Sequence, residues 1–148
     1  MSSAKIRVHY AIVCRTAHKL SGEQFHNLLS VQNRFVFGPE NEAPFLAPAI
    51  DVFVRFFVYR PGTETIFIRV GVFSQHVRGG KALVESEPKT IEFNTRQPSQ
   101  DAHFRLNTLS FPFPGMYVVK VCRRSNRSWD KGRIKVLGKE YLFVEHHR

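Results

Sequence analysis

The stretch FRLNTLSFPFPGMYVVKVCRRSNRSWDKGRIKVLGKEYLFVE, residues 104–145, has the most regular pattern in this chain. It begins with alternating apolar and polar residues, tightens at Pro114-Gly115 and alternates again. It then breaks into a basic loop around the single tryptophan. Alternation with a period of two is typical of strands with one buried face. The stretch therefore predicts β-strands joined by turns.

The turn at Pro114-Gly115 predicts a role for the tyrosine that follows it. Gly115 supplies the backbone freedom that a sharp turn needs. Tyr117, Val119 and Val121 then share one strand face. A tyrosine placed in this way can bury its ring and return its hydroxyl to a loop backbone group, as in the tyrosine corner of Greek-key sandwiches. The alternative is a buried ring without that hydrogen bond, and both interpretations are structural.

The same period of two recurs upstream, in IDVFVRFFVYR (residues 50–60) and TIFIRVGVF (residues 65–73). The short loop with Pro61-Gly62 between them predicts a hairpin. Residues 40–48 predict a loop held by prolines, and residues 20–26 allow one short helical turn. Further candidate strands lie at 6–14, 28–37, 82–85, 90–94, 103–111, 116–122, 133–136 and 140–144.

Many short strands with regular turns and almost no helical period predict an all-β fold. We expect a single antiparallel β-sandwich of Greek-key or immunoglobulin-like type, with seven to nine strands, in one domain over residues 1–148. A chain of this length can bury roughly 70% of its unfolded surface, so it can fold without metal or disulfide bonds.

The chain also resembles a family of small bacterial all-β proteins of unassigned function. The resemblance rests on Ala11-Ile12-Val13-Cys14 in the first strand, on NLLSVQNRF, on the alternating region 50–73, and on the turn L-x-F-P-x-P-G-x-Y at residues 109–117. It implies a β-sandwich and carries over no catalytic residue. The chain differs from that family in its strong positive charge and arginine-rich loop.

The net charge is +10, from 22 Lys and Arg against 12 Asp and Glu. Such a charge favours nucleic acids, anionic membranes or acidic proteins as partners. No signal peptide and no apolar run long enough for a transmembrane segment is present, which predicts a cytoplasmic protein. In a reducing compartment Cys14 and Cys122 are expected as free buried thiols, with a disulfide as the alternative.

The motifs that would indicate an enzyme are missing from the sequence. The seven histidines match no zinc pattern, and neither CxxC nor HExxH occurs. There is no G-x-S-x-G, and VRGGK lacks the spacing of a phosphate-binding loop. Catalysis by Cys14 with a spatially adjacent histidine is the alternative. We therefore predict no enzyme activity, no catalytic residue, no metal and no cofactor.

One candidate binding surface is the odd-numbered face of the predicted hairpin. If valine and isoleucine fill the core, the aromatic and arginine side chains point outward. Three interpretations are open: burial in the core, a protein interface such as a homo-oligomer, and a platform for single-stranded nucleic acid. The residues are Phe53, Arg55, Phe57, Phe67, Arg69 and Phe73.

The other candidate surface is the basic loop around Trp129. Guanidinium groups contact phosphates, and an exposed indole can stack on a base. The alternatives are cation–π contacts within the loop and a tryptophan folded back onto the core. The residues are Arg123, Arg124, Arg127, Trp129, Lys131, Arg133 and Lys135.

These features lead to one prediction and one alternative. We predict a non-enzymatic binding or assembly module that acts through the Phe/Arg face, as a homo-oligomer or with another protein partner. The alternative is a nucleic-acid-binding protein that uses the loop 123–135.

Overall fold

A computed structural model describes residues 6–19, 26–58, 64–75, 80–93, 99–124 and 134–147. The helical turn predicted at 20–26 lies outside these residues except for His26. None of the described segments is a helix long and apolar enough to cross a membrane.

Every described element is a β-strand, which confirms the predicted all-β class. The described residues form twelve strands, against the seven to nine expected, and eight of the twelve have five residues or more. The strands are β1 (Ile6–Lys19), β2 (His26–Val31), β3 (Arg34–Phe37), β4 (Phe45–Ala47), β5 (Ile50–Val58), β6 (Glu64–Ser74), β7 (Val84–Glu85), β8 (Lys89–Phe93), β9 (Ser99–Leu106), β10 (Leu109–Phe111), β11 (Gly115–Arg124) and β12 (Ile134–His146).

The strands form two main sheets. The four-stranded sheet has the order β2-β1-β5-β9. The six-stranded sheet has the order β3-β12-β11-β6, and both β7 and β8 pair with the remaining edge of β6. β3 is parallel to β12, while the other ladders are antiparallel.

The core lies between these sheets. Val54 and Phe56 of β5, Ile68 and Val70 of β6, and Val119 of β11 are fully buried in one hydrophobic cluster. Each belongs to the apolar half of an alternating strand, so the inner face of each sheet follows from the period of two. The arrangement is sandwich-like, with an outer face on each sheet.

The predicted hairpin over residues 50–73 is wrong. β5 pairs with β1 and β9, whereas β6 pairs with β11, β7 and β8 in the other sheet. Alternation shows which residues face the core, but it does not show from which side of the core they come. Two successive strands with the same pattern can therefore belong to opposite sheets.

The predicted strand 28–37 is also divided between the sheets. β2 ends at Val31 in the four-stranded sheet, and β3 begins at Arg34 in the six-stranded sheet. The Gln32 N–H donates to the Val13 carbonyl at 3.0 Å, and the Phe143 N–H donates to the Asn33 carbonyl at 2.8 Å. The chain thus changes sheets within two residues, each of which bonds to a different sheet.

A short strand replaces part of the predicted loop 40–48. β4 pairs with β10 in the register that β5 and β9 share, so the two ladders form one interrupted ribbon. Pro48 stands at the interruption and has no N–H to donate to a ladder. The proline therefore marks a break within a ribbon and not the end of the strand region.

The tyrosine corner is confirmed. The Tyr117 hydroxyl donates to the Phe113 carbonyl at 2.6 Å, and its ring is fully buried. Gly115 has a φ of 139°, which side-chain-bearing residues rarely adopt. Burial raises the pKa of Tyr117. The turn and the tyrosine together fix how the chain enters β11.

Candidate protein-binding face

The six residues of the predicted Phe/Arg surface do not form one surface. Because β5 and β6 belong to different sheets, half of the set lies on the outer side of each sheet. The set on the four-stranded sheet is Phe53, Arg55 and Phe57; the set on the six-stranded sheet is Phe67, Arg69 and Phe73.

On the four-stranded sheet, most of this set is engaged in contacts within the chain. Phe53 is 4% exposed, and its ring centroid lies 6.0 Å from that of Tyr10. Arg55 forms a two-pronged ion pair with Asp101 at 2.7 and 2.9 Å and lies over the Tyr10 ring. Phe57 is more open, at 40% exposed. Of these three residues, only Phe57 is therefore more than one third exposed as a whole residue.

On the six-stranded sheet, the predicted residues are half-buried. Arg69 pairs with Glu85 at 2.6 Å, and the Lys120 ammonium lies 4.5 Å from the Phe73 ring centroid. Phe67 is directly opposite Thr90 of β8. These residues form one border of a larger outer face.

That outer face carries a cluster of exposed apolar side chains that sequence reasoning missed. On β12, Leu142 and Val144 are buried, so Tyr141 and Phe143, which alternate with them, point outward. In the aligned ladders the exposed positions continue along β12 and onto β3. The outer apolar cluster consists of Val36, Ile134, Val136, Tyr141 and Phe143, each 37–54% exposed.

A sequence signal for this cluster was present. In EYLFVE, residues 140–145, four consecutive apolar or aromatic residues would cover both faces of a strand. A strand at the surface of a two-layer fold needs only one apolar face. The excess apolar face on β12 could therefore have been read as a binding surface.

Two lysines stand in the middle of this face. Lys120 of β11 and Lys139 of β12 are direct partners in the ladder, so their side chains leave the same face side by side. Like charges directly opposite each other destabilise a sheet. Within the described residues, neither ammonium lies within 4 Å of an acidic side chain. The face is therefore both apolar and positively charged.

The basic loop can be placed only by its ends. β11 and β12 pair as far as Arg124 and Ile134, so the segment between them joins neighbouring strands, as predicted. Arg123 is half-buried and lies opposite the exposed Lys135. Arg127, Trp129, Lys131 and Arg133 lie outside the described residues.

The buried carboxylate of Asp51 links neighbouring strands of the four-stranded sheet. Asp51 is 3% exposed, and its Oδ2 accepts the Ala17 N–H at 2.7 Å. Its Oδ1 pairs with Arg105 at 3.3 Å. Burial, followed by the neighbouring Lys89 charge, lowers the pKa of His103 on the adjacent strand. These contacts join β1, β5 and β9, which gives Asp51 a structural role.

Both cysteines are free and buried, as expected. Burial, together with the negative charge of Asp51, raises the pKa of Cys14 to about 11, and burial raises that of Cys122. A thiol must ionise to act as a nucleophile. In the described part of the chain, no three His, Cys, Asp or Glu side chains converge as metal ligands.

The thiols should react slowly while the protein is folded. With a thiol-specific disulfide reagent at pH 8, we expect neither cysteine to react quickly in the native protein, since both thiols are buried and protonated. In urea, two thiols per chain should react at once. A fast-reacting native thiol would contradict the described burial of Cys14 and Cys122.

No protein family model and no curated protein sequence matches the chain. Among solved structures, it is similar to the Pseudomonas fluorescens alkylpurine DNA glycosylase AlkC bound to DNA containing an abasic site analog, with a TM-score of 0.48 and 10% identity. The similarity covers 96% of this chain and 31% of that chain. The resemblance to small bacterial all-β proteins stays a prediction.

Proposed function

We propose that this protein is a non-enzymatic assembly module that binds protein through the outer face of its six-stranded sheet. The observation that carries the proposal is the outer apolar cluster, five large side chains that share one sheet face. Exposed apolar patches of this kind usually mark interaction sites. We also propose a cytoplasmic location, where reducing conditions suit two free thiols.

The composition of the face supports a protein partner. Tyr141 and Phe143 are aromatic side chains, a type enriched in protein interfaces. The polar residues nearer the border are paired: Arg69 with Glu85, and Arg34 with Glu145. Aromatic anchors surrounded by a polar rim are the usual anatomy of an interface.

A nucleic-acid-binding protein is the second candidate. The net charge of +10 supports it, as does the placement of the basic segment between the paired ends of β11 and β12. It predicts that the purified protein carries material absorbing at 260 nm and that high salt removes this material. The two candidate functions therefore differ in what the purified protein binds at low salt: protein in the first, nucleic acid in the second.

Removing two aromatic rings from the face tests the proposal. In the variant Tyr141→Ser/Phe143→Ser, we expect self-association to weaken about tenfold or more, because aromatic anchors dominate interface energies. Both side chains are more than one third exposed, so the fold should tolerate the change. Sedimentation velocity over a range of concentrations measures the effect.

The matched control is Phe57→Ser. Phe57 has a similar exposure, 40%, but lies on the other sheet. We expect its replacement to leave self-association unchanged. Equal weakening by both variants, or no weakening by either, would refute a role for the outer apolar cluster.

A further inference from the structure

A negatively charged partner would relieve the repulsion between the ammonium groups of Lys120 and Lys139. The two residues are adjacent across β11 and β12, and in the described ranges neither ammonium lies within 4 Å of an acidic side chain. Tyr141 and Val136 lie on either side of Lys139 along the same strand face. A segment that covers this area must therefore offer both carboxylates and apolar side chains.

The chain itself contains such a segment. Residues 40–48, ENEAPFLAP, hold two glutamates and no lysine or arginine, although the whole chain carries +10. Glu40 and Glu42 are exposed, and neither forms an ion pair within the described part of the protein. Leu46 of β4, at 67% exposed, is the most exposed of the large apolar residues in the described ranges.

The acidic part of this stretch, residues 40–46, is held in place by a buried ring. The Phe45 ring is buried, with its centroid 5.1 Å from Phe37 and 5.0 Å from His146. Leu46 pairs with Ser110 in the β4–β10 ladder, and its side chain points away from Phe45. The buried Phe45 ring and the β4–β10 ladder therefore fix the backbone that carries the two glutamates and Leu46.

We propose that the partner is a second copy of this chain, whose acidic segment, residues 40–46, docks on Lys120 and Lys139 of the outer sheet face. This inference rests on the proposed function. The segment supplies carboxylates to the two ammonium groups and an apolar side chain to the surface beside Tyr141.

The two surfaces belong to different ends of one molecule. The acidic segment packs at His146, seven residues along β12 from Lys139, which corresponds to about 23 Å of strand. One copy therefore cannot satisfy its own lysines. Contact between two such surfaces is head-to-tail unless a two-fold axis makes it reciprocal, and head-to-tail contact produces either a ring or a chain of copies.

Packing of two identical outer faces is less favourable. It would bring the Lys120–Lys139 pair of one copy towards that of its partner copy. Like charges brought together across an interface oppose association. The acidic segment avoids this repulsion and replaces it with attraction.

Charge exchange tests the head-to-tail contact. In the full chain at low ionic strength, Lys139→Glu and Glu42→Lys should each weaken self-association about tenfold or more. The double variant, which carries both changes, should regain most of the wild-type association because the charge pair is restored in reverse. Sedimentation velocity gives the association constants.

Two controls accompany the exchange. Lys139→Glu places an acid opposite Lys120, so its thermal unfolding midpoint should not fall below that of the wild type. Leu46→Ser should weaken association, whereas Val31→Ser, at a similarly exposed residue (62%), should not.

The outcomes separate this inference from the proposed function. If Lys139→Glu strengthens association and Glu42→Lys has no effect, copies pack face to face and the head-to-tail contact is refuted. If both charge variants associate normally while Tyr141→Ser/Phe143→Ser dissociates, the inference fails and the proposed function stands. A wild-type protein that is monomeric at all concentrations refutes the inference and, with it, assembly of this chain with copies of itself.

Discussion

Replacing Tyr117 by alanine is expected to lower the free energy of unfolding by about 3–5 kcal/mol, the usual cost of removing a large buried ring. The ring is fully buried and lies 4.8 Å from the Phe111 centroid and 5.9 Å from that of Phe113. Because domains are stable by only about 5–15 kcal/mol, this variant should be close to unfolding at room temperature.

The hydroxyl of Tyr117 should account for part of that loss. In Tyr117→Phe the Phe113 carbonyl loses its donor, and the Phe113 N–H loses an acceptor at 3.4 Å. An unsatisfied polar group costs about 1–3 kcal/mol. Urea unfolding of both variants, with the exposed Tyr141→Phe as control, measures the two contributions. A Tyr117→Phe protein as stable as the wild type would show that the corner hydrogen bond contributes nothing.

Gly138→Val should also destabilise the fold, by about 1–3 kcal/mol, through overpacking between the two sheets. A Cβ atom at Gly138 would lie 2.9 Å from the Val8 Cβ and 3.1 Å from its two methyl carbons. β1 and β12 belong to different sheets, so relief of this clash requires the sheet edges to separate. Calorimetric unfolding should show a lower midpoint.

Gly71→Ala is the matched control for Gly138. A Cβ there would lie 3.0 Å from Cε2 of the Phe73 ring, a half-buried side chain on the outer face that can turn away. Gly71 is buried, but its nearest contact is the far end of one side chain, so we expect a smaller loss than for Gly138→Val, of less than about 1 kcal/mol. If Gly138→Val were as stable as Gly71→Ala, the result would contradict the close packing of β1 against β12 at Gly138.

The strand class, the inner faces and the tyrosine corner could be predicted from the sequence. Period-two alternation is a local property, and residues such as Val54, Ile68 and Val119 occupy the core positions that it implies. Pro114-Gly115 and Tyr117 form a local unit whose hydrogen bond spans only four residues. Local chemistry was sufficient for these features.

The pairing of strands could not be predicted in the same way. Whether β6 pairs with β5 or with β11 is decided by contacts between distant residues, which alternation does not encode. The predicted Phe/Arg face depended on that pairing, so it was divided when β5 and β6 took opposite sheets. The outer apolar cluster depends on pairing only for Val36 of β3, since its other four members lie on β12 and carried a local signal.

The measurement that tests the central claim most directly is the solution mass of the wild-type protein. Light scattering on a size-exclusion column, with absorbance recorded at 260 and 280 nm, gives mass and nucleic-acid content together. Assembly through the outer face predicts a mass above the 17.1 kDa of one chain and no nucleic acid. A 17.1 kDa species at every concentration, or one whose extra mass is nucleic acid that salt removes, would contradict it.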